Sequence, residues 1–293
     1  MLVVAGRSGC EEYGMSVKFV IDSASDILPA DARAMDILCL PLKVIFGEQV
    51  YNDGADLTHS AFYEKLSEST ALPTTSQVPP AAFAGCFEEL VAQGHTVVAI
   101  TLSSELSGTY QSACIAAADF RDKVFVVDSL NATIGERILL ERGLALAQQG
   151  MGAEEIAATL EEEKKQIRLL AVVDTLEYLK KGGRISAAAA VAGTMLAVKP
   201  LIQVIDGRVR VTGKARGHKQ AAKMLWQQLE AAGGVDDTRP YAVVYAGSEN
   251  TNAKAFLEEY GDLLPANMPL HTLGCTIGTH IGPGAYGIAY FAK

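Results

Sequence analysis

Four short runs in the first half of the chain are apolar through their interiors: VKFVID (17–22), ILCLPLKVIF (37–46), TVVAITL (96–102) and KVFVVDS (123–129). A strand that reads apolar on both faces must be covered on both faces. That is the condition of a parallel sheet wrapped by helices. Amphipathic segments near 58–68, 79–93, 108–119 and 133–149 supply the covering helices. Asp22 and Asp128 close two of the strands, and each is followed by serine. In such folds ligands gather outside the carboxyl ends of the strands, so DSASD (22–26) and DSLNAT (128–133) point to a common crevice.

The pattern changes after 151–167, a charged amphipathic helix expected to bridge two domains. LLAVVDTL (169–176) reads as a strand. LIQVIDGRVRVTGKAR (201–216) holds Asp206-Gly207 between two alternating runs, a hairpin signal because a type I′ turn needs positive φ. Helix 218–231, strand 241–247, helix 251–263, strand PLHTLGCTI (269–277) and a closing strand AYGIAYFAK follow. A hairpin among α/β units indicates a mixed or antiparallel sheet. The expected fold is therefore α/β with two domains, a Rossmann-like parallel one (15–166) and a mixed or antiparallel one (167–293), with ligand between them. Residues 1–14 look unlike the rest and are expected to be a leader, with the native start at Met15.

Charge and cysteine usage narrow the function. A net charge of −9 over 293 residues disfavours nucleic-acid binding, which rests on a basic face. The five cysteines are scattered with no C-x-x-C pair, as in a reduced, cytoplasmic protein. No two histidines have metal-ligand spacing, and no stretch reaches the length of a membrane span.

Three hydroxyl- or glycine-rich segments carry the candidate chemistry. In TLSSELSGTYQSA (101–113) Ser107 can cap a helix with Gly108 and Thr109 in its first turn, a place that attracts a carboxylate or phosphate. It is neither a nucleophile elbow nor a Walker loop. In LPTTSQVPP (72–80) Thr75, Ser76 and Gln77 precede a helix starting near Pro79. In GCTIGTHIGPGAYG (274–287) glycines at 278 and 282 flank Thr279 and His280, so backbone can approach something closely. Arg184, after the Gly182-Gly183 helix end, and Arg216, at the mouth of the next helix, form local basic surface in an acidic protein. The run AAAAVAGTMLAVKPLI (187–202) suits a tunnel wall or tight helix packing equally.

Five of these stretches in this order, DSASD, TTSQ (74–77), SSELSGTYQSA (103–113), DTLEYLKKGGRIS (174–186) and GTHIGPGA (278–285), resemble the DegV family of bacterial fatty-acid-binding proteins, sometimes called FakB. The likeness runs from about residue 17 to the C-terminus. One departure is Val78-Pro79-Pro80 after TTSQ, where the family commonly has Pro-Ser. The resemblance implies a long-chain fatty acid buried between two domains, its carboxylate held by Thr75, by Ser107 or Ser104, and by His280, with Ser76 beside them. It implies no cofactor and no catalysis by the chain itself. A separate fatty acid kinase would convert the presented acid to an acyl-phosphate for phospholipid metabolism, meeting the exposed Arg184 and Arg216, with transient contact at the membrane surface. The competing readings are a serine hydrolase, with Ser107 as nucleophile, His280 as base and Asp22 or Asp174 orienting it, and a regulator binding a sugar or phosphate.

Overall fold

The computed structural model describes residues 16–185 and 197–293. The leader, the start at Met15 and the alanine run of 187–193 lie outside the described residues. Strands β1 (Val17–Asp22) and β2 (Ile37–Leu40) pair in parallel. The expected long strand 37–46 breaks at Pro41, which has no amide hydrogen to continue the ladder. The chain turns there, with the Leu42 amide donating to Ser23 Oγ at 3.0 Å. It then enters a separate antiparallel sheet of β3 (Lys43–Phe46), β4 (Gln49–Asn52) and β5 (Thr74–Ser76), in the order β4-β3-β5. Strands β6 (Thr96–Thr101) and β7 (Val124–Asp128) return to the first sheet, whose order is β2-β1-β6-β7, parallel throughout.

The helices fall close to expectation. They are α1 (Pro29–Ala34), unforeseen, α2 (His59–Glu68), α3 (Pro80–Ala92), α4 (Thr109–Ala117), α5 (Ile134–Gln148) and α6 (Ala153–Glu163). Val78 is buried, and Pro79 and Pro80 occupy the cap and first position of α3, where a missing amide costs nothing. The α6 segment does not bridge the two halves. It packs on β6, β7 and α5. The bridging element is α5, which touches β1 and β6 of the first sheet and β8, β11 and β13 of the second. Its burial explains why Glu136 and Arg137 have so little access to water.

The second sheet has six strands in the order β10-β9-β8-β13-β11-β12. These are β8 (Ile167–Val172), β9 (Val198–Ile205), β10 (Arg208–Arg216), β11 (Tyr241–Tyr245), β12 (Leu270–Thr272) and β13 (Tyr286–Phe291). Only β11 and β12 pair in parallel. The β9–β10 hairpin turns at Asp206 (φ 49°) and Gly207 (φ 75°), the two positive angles a type I′ turn requires. Helices α7 (Glu177–Lys181), α8 (His218–Ala231), α9 (Thr251–Tyr260) and α10 (Cys275–Ile281) are the remaining helices among the described residues.

Alternation along β8 divides the core. Leu170 and Val172 join Leu225, Phe256 and Tyr260 in an outer core beneath α8 and α9. Leu169 and Ala171 face inward, toward α5 and the first sheet. Successive strand residues point to opposite faces, so this period of two builds both walls at once.

A cavity between the two sheets

The inward face of the second sheet is not fully covered. Leu169 and Ala171 of β8, Ile202 and Val204 of β9, Val209 of β10 and Val244 of β11 line a cavity of about 380 Å³. Its opposite wall is built from residues just beyond the carboxyl ends of first-sheet strands: Leu42 after β2, Leu102, Leu106 and Ser107 after β6, and Ala132 and Thr133 after β7. This is the crevice that strand order dictates. Asp22 and Asp128 do not face it. They secure the turns that shape it, Asp22 by accepting from the Ala24 and Leu102 amides at 2.9 Å each. Asp128 accepts from the Ser104 amide at 3.2 Å and the Leu130 amide at 2.9 Å. Burial nevertheless raises the Asp22 carboxyl to about 7, against the pull of those two amide bonds.

A polar group closes part of this apolar space. Thr75 Oγ1 lies 2.9 Å from His280 Nε2 although the two are 205 residues apart. Thr75 sits on β5, opposite Val44, and not in the turn expected for TTSQ. His280 sits on α10. The expected strand 269–277 shrinks to three residues before this helix. Burial, assisted by the Arg184 charge, pushes the His280 imidazole down to about 4, so it is neutral at pH 7. Its Nδ1 is buried without a hydrogen-bond partner and lies against Gly182, where a side chain would strike the ring.

Ser107, Gly108, Ser76 and Gln77 also line the cavity. The helix after Ser107 starts one residue later than expected, with Gly108 at the cap position. Ser107 Oγ accepts from the Thr109 amide at 3.3 Å and lies 3.0 Å from Thr109 Oγ1. The two serines differ in position. Ser107 lines the cavity, whereas Ser104 is exposed and does not.

Four other expected residues stay off the wall. Thr109 is buried beside Ser107. Thr279 Oγ1 donates to the Cys275 carbonyl at 2.9 Å, as a helical threonine commonly does. Gly278 is a close approach to protein and not to ligand, since an added Cβ would fall 2.6 Å from Phe62 Cε1. Gly282 packs on the Tyr178 ring at a φ of 74°.

Arg184 is not the exposed arginine that was expected. It is half-buried and lines the cavity, with Nε donating to the Leu106 carbonyl at 3.1 Å and Nη1 to the Gly182 carbonyl at 2.6 Å. Arg216, at the end of β10, is exposed.

Sequence reasoning missed what holds α10 in place. Asp53 accepts from the Cys275 and Thr276 amides, both at 3.1 Å, and from Ser23 Oγ at 3.2 Å. Asp26 accepts from the Gly274 amide at 2.9 Å and from Thr133 Oγ1. Gly274 has no side chain to cap the helix, so carboxylates from the other half of the molecule do it. Burial raises the Asp26 carboxyl well above the usual range. Missed too were Thr133, Thr276 and Gln203 on the cavity wall.

The hydrolase triad is not assembled. Asp22 is committed to backbone amides, and Asp174 pairs with Lys199 at 2.7 Å. Among the described residues no carboxylate bonds to His280, whose one partner there is Thr75 and not Ser107. Among the described residues no group of histidines, cysteines and carboxylates could hold a metal ion. No described helix is long and apolar enough to cross a membrane.

Two α/β layers enclose an apolar slot with a cluster of hydroxyls and one imidazole on its wall. The chain belongs to the DegV family: the family model described as "Uncharacterised protein, DegV family" matches residues 16–293. A DegV domain-containing protein of Deinococcus radiodurans is 35% identical over 279 residues, covering 94% of this chain and 98% of the relative. Among solved structures, a fatty-acid-binding DegV family protein of Thermus thermophilus is 32% identical with a TM-score of 0.86, covering 95% of this chain and all of the other. DegV of Bacillus subtilis, a fatty acid binding protein, is 33% identical with a TM-score of 0.81, covering 96% of this chain and all of the other.

Proposed function

We propose that this chain binds one long-chain fatty acid in the cavity between its sheets and presents the carboxylate to a partner kinase. The observation that carries the reading is the pairing of an apolar slot with the Thr75–His280 contact on its wall. Fatty acid binding by the Thermus and Bacillus relatives supports it.

The chemistry divides between tail and head. At ~0.8 kcal/mol per buried methylene, a chain of ~14 methylenes contributes roughly 11 kcal/mol before association and ordering costs. Hydrogen bonds from Thr75, Ser107 and His280 to a carboxylate contribute about 1.5–3 kcal/mol each and fix which end of the ligand sits there. Arg184 is the one cation on the described wall, which suits a singly charged head group better than a phosphate. In this reading the chain carries its acid and leaves it chemically unchanged. Phosphoryl transfer from ATP would then be the work of the kinase.

In this reading Arg216 meets that kinase, and its exposure away from the cavity wall supports the assignment. Arg216→Ala should keep its fatty acid yet yield less acyl-phosphate with a cognate kinase and ATP. Equal yields from variant and wild type would remove Arg216 from the encounter.

A further inference from the structure

We infer that the Thr276 hydroxyl is an additional ligand of the bound head group and sharpens this chain's selection of a free acid. The inference rests on the fatty-acid reading above. Thr276 lines the cavity and is 2% exposed, and its Oγ1 has no hydrogen-bond partner among the described residues. A buried hydroxyl left unpaired is disfavoured and rare. A helical threonine usually relieves it by donating to the carbonyl four residues back. Thr279, on the same helix but off the cavity wall, does so through the Cys275 carbonyl. Thr276 is the second residue of α10, so position 272 lies in β12 and that relief is not open to it; it is the threonine of the pair on the cavity wall.

Its position supplies the partner. Thr276 and His280 are four residues apart on α10, hence on one face of the helix. Long helical side chains lean back over the preceding turn, which brings the imidazole over Thr276. The head-group site therefore adjoins Thr276 Oγ1. A carboxylate offers about four lone-pair positions. Of the expected ligands, Thr75 already engages His280, and Ser107 already engages Thr109. Thr276 brings an uncommitted donor. Its backbone is fixed independently, because its amide donates to Asp53.

Thr276→Val tests this by removing the hydroxyl while keeping the branched shape, with Thr276→Ser as the companion that keeps the hydroxyl. Dissociation constants are measured for a long-chain acid and for the primary alcohol of equal length, on variants whose melting temperatures match wild type. The valine variant should bind the acid about tenfold or more weakly. It should bind the alcohol nearly as wild type does, and the serine variant should hold the acid nearly as wild type does. Acid affinity that is equal or tighter in the valine variant would overturn the inference, because an unused hydroxyl exchanged for a methyl group favours an apolar tail. Equal losses for acid and alcohol would overturn it too, by assigning Thr276 to packing. A wild-type protein that binds no acid would refute the underlying reading instead, before any variant is compared.

Discussion

Val244→Phe is expected to leave the protein folded and to remove most of its affinity for a long acyl chain. Val244 stands on the interior strand β11, between β13 and β12, 2% exposed and lining the cavity. Enlarging a packed core residue usually costs about 1–3 kcal/mol in strain. Here the added ring enters space already open, so the denaturation midpoint should move little. The ring takes the room of about four methylenes. At ~0.8 kcal/mol each the loss is roughly 3 kcal/mol, or about 200-fold in affinity. A short acid such as octanoate, needing less of the slot, should lose less. Titration calorimetry with both acids checks the pair. Unchanged long-chain affinity would mean that the tail lies elsewhere.

The second large effect is on stability. Asp53→Ala should destabilise the fold by about 3–5 kcal/mol, since it leaves two helix amides and the Ser23 hydroxyl without their buried acceptor. That is a large share of the 5–15 kcal/mol typical of a folded protein, and a fall of about 10 °C in melting temperature should accompany it. Asp53→Asn keeps one acceptor oxygen and should lose clearly less. The same carboxylate fixes the start of the helix that carries Thr276 and His280. Acid affinity should therefore fall in the alanine variant even at temperatures where it remains folded. Chemical denaturation with a parallel binding titration reads both effects. A midpoint within about 1 kcal/mol of wild type would contradict the role assigned to this cap.

Much of this architecture can be read from the chain because burial leaves a local mark. Continuous apolar runs gave the parallel strands, and Asp206-Gly207 placed the hairpin. The 3.6-residue pattern fixed α8 to the residue. Pro41 was the misread signal: it lies inside an apolar run, yet it moves the second part of that run into another sheet. The glycines at 274, 278 and 282 misled in the opposite sense. Gly274 reads as part of a strand and 278 and 282 as places of close backbone approach, but 274 and 278 allow a helix to press against Asp26, Phe62 and Tyr63, and 282 ends it. The helix expected at 133–149 is α5, but its pattern does not show that it is covered from both sheets and bridges them.

Site residues divide along similar lines. Thr75, Ser107 and His280 could be singled out because each belongs to a recognisable segment. Their convergence could not be read, since β5, α4 and α10 meet only through the packing of three separate sheets. Thr276 and Asp53 carried no local signal. An unpaired hydroxyl or a cap supplied from more than 200 residues away exists only in three dimensions.

Native mass spectrometry of the full chain, purified without added lipid and then incubated with a panel of saturated and unsaturated acids, addresses the cavity most directly. The expected spectrum shows each chain heavier by one long-chain acid, which denaturation releases intact. A spectrum that stays at the bare polypeptide mass throughout the panel would contradict the assignment of this cavity to an acyl chain.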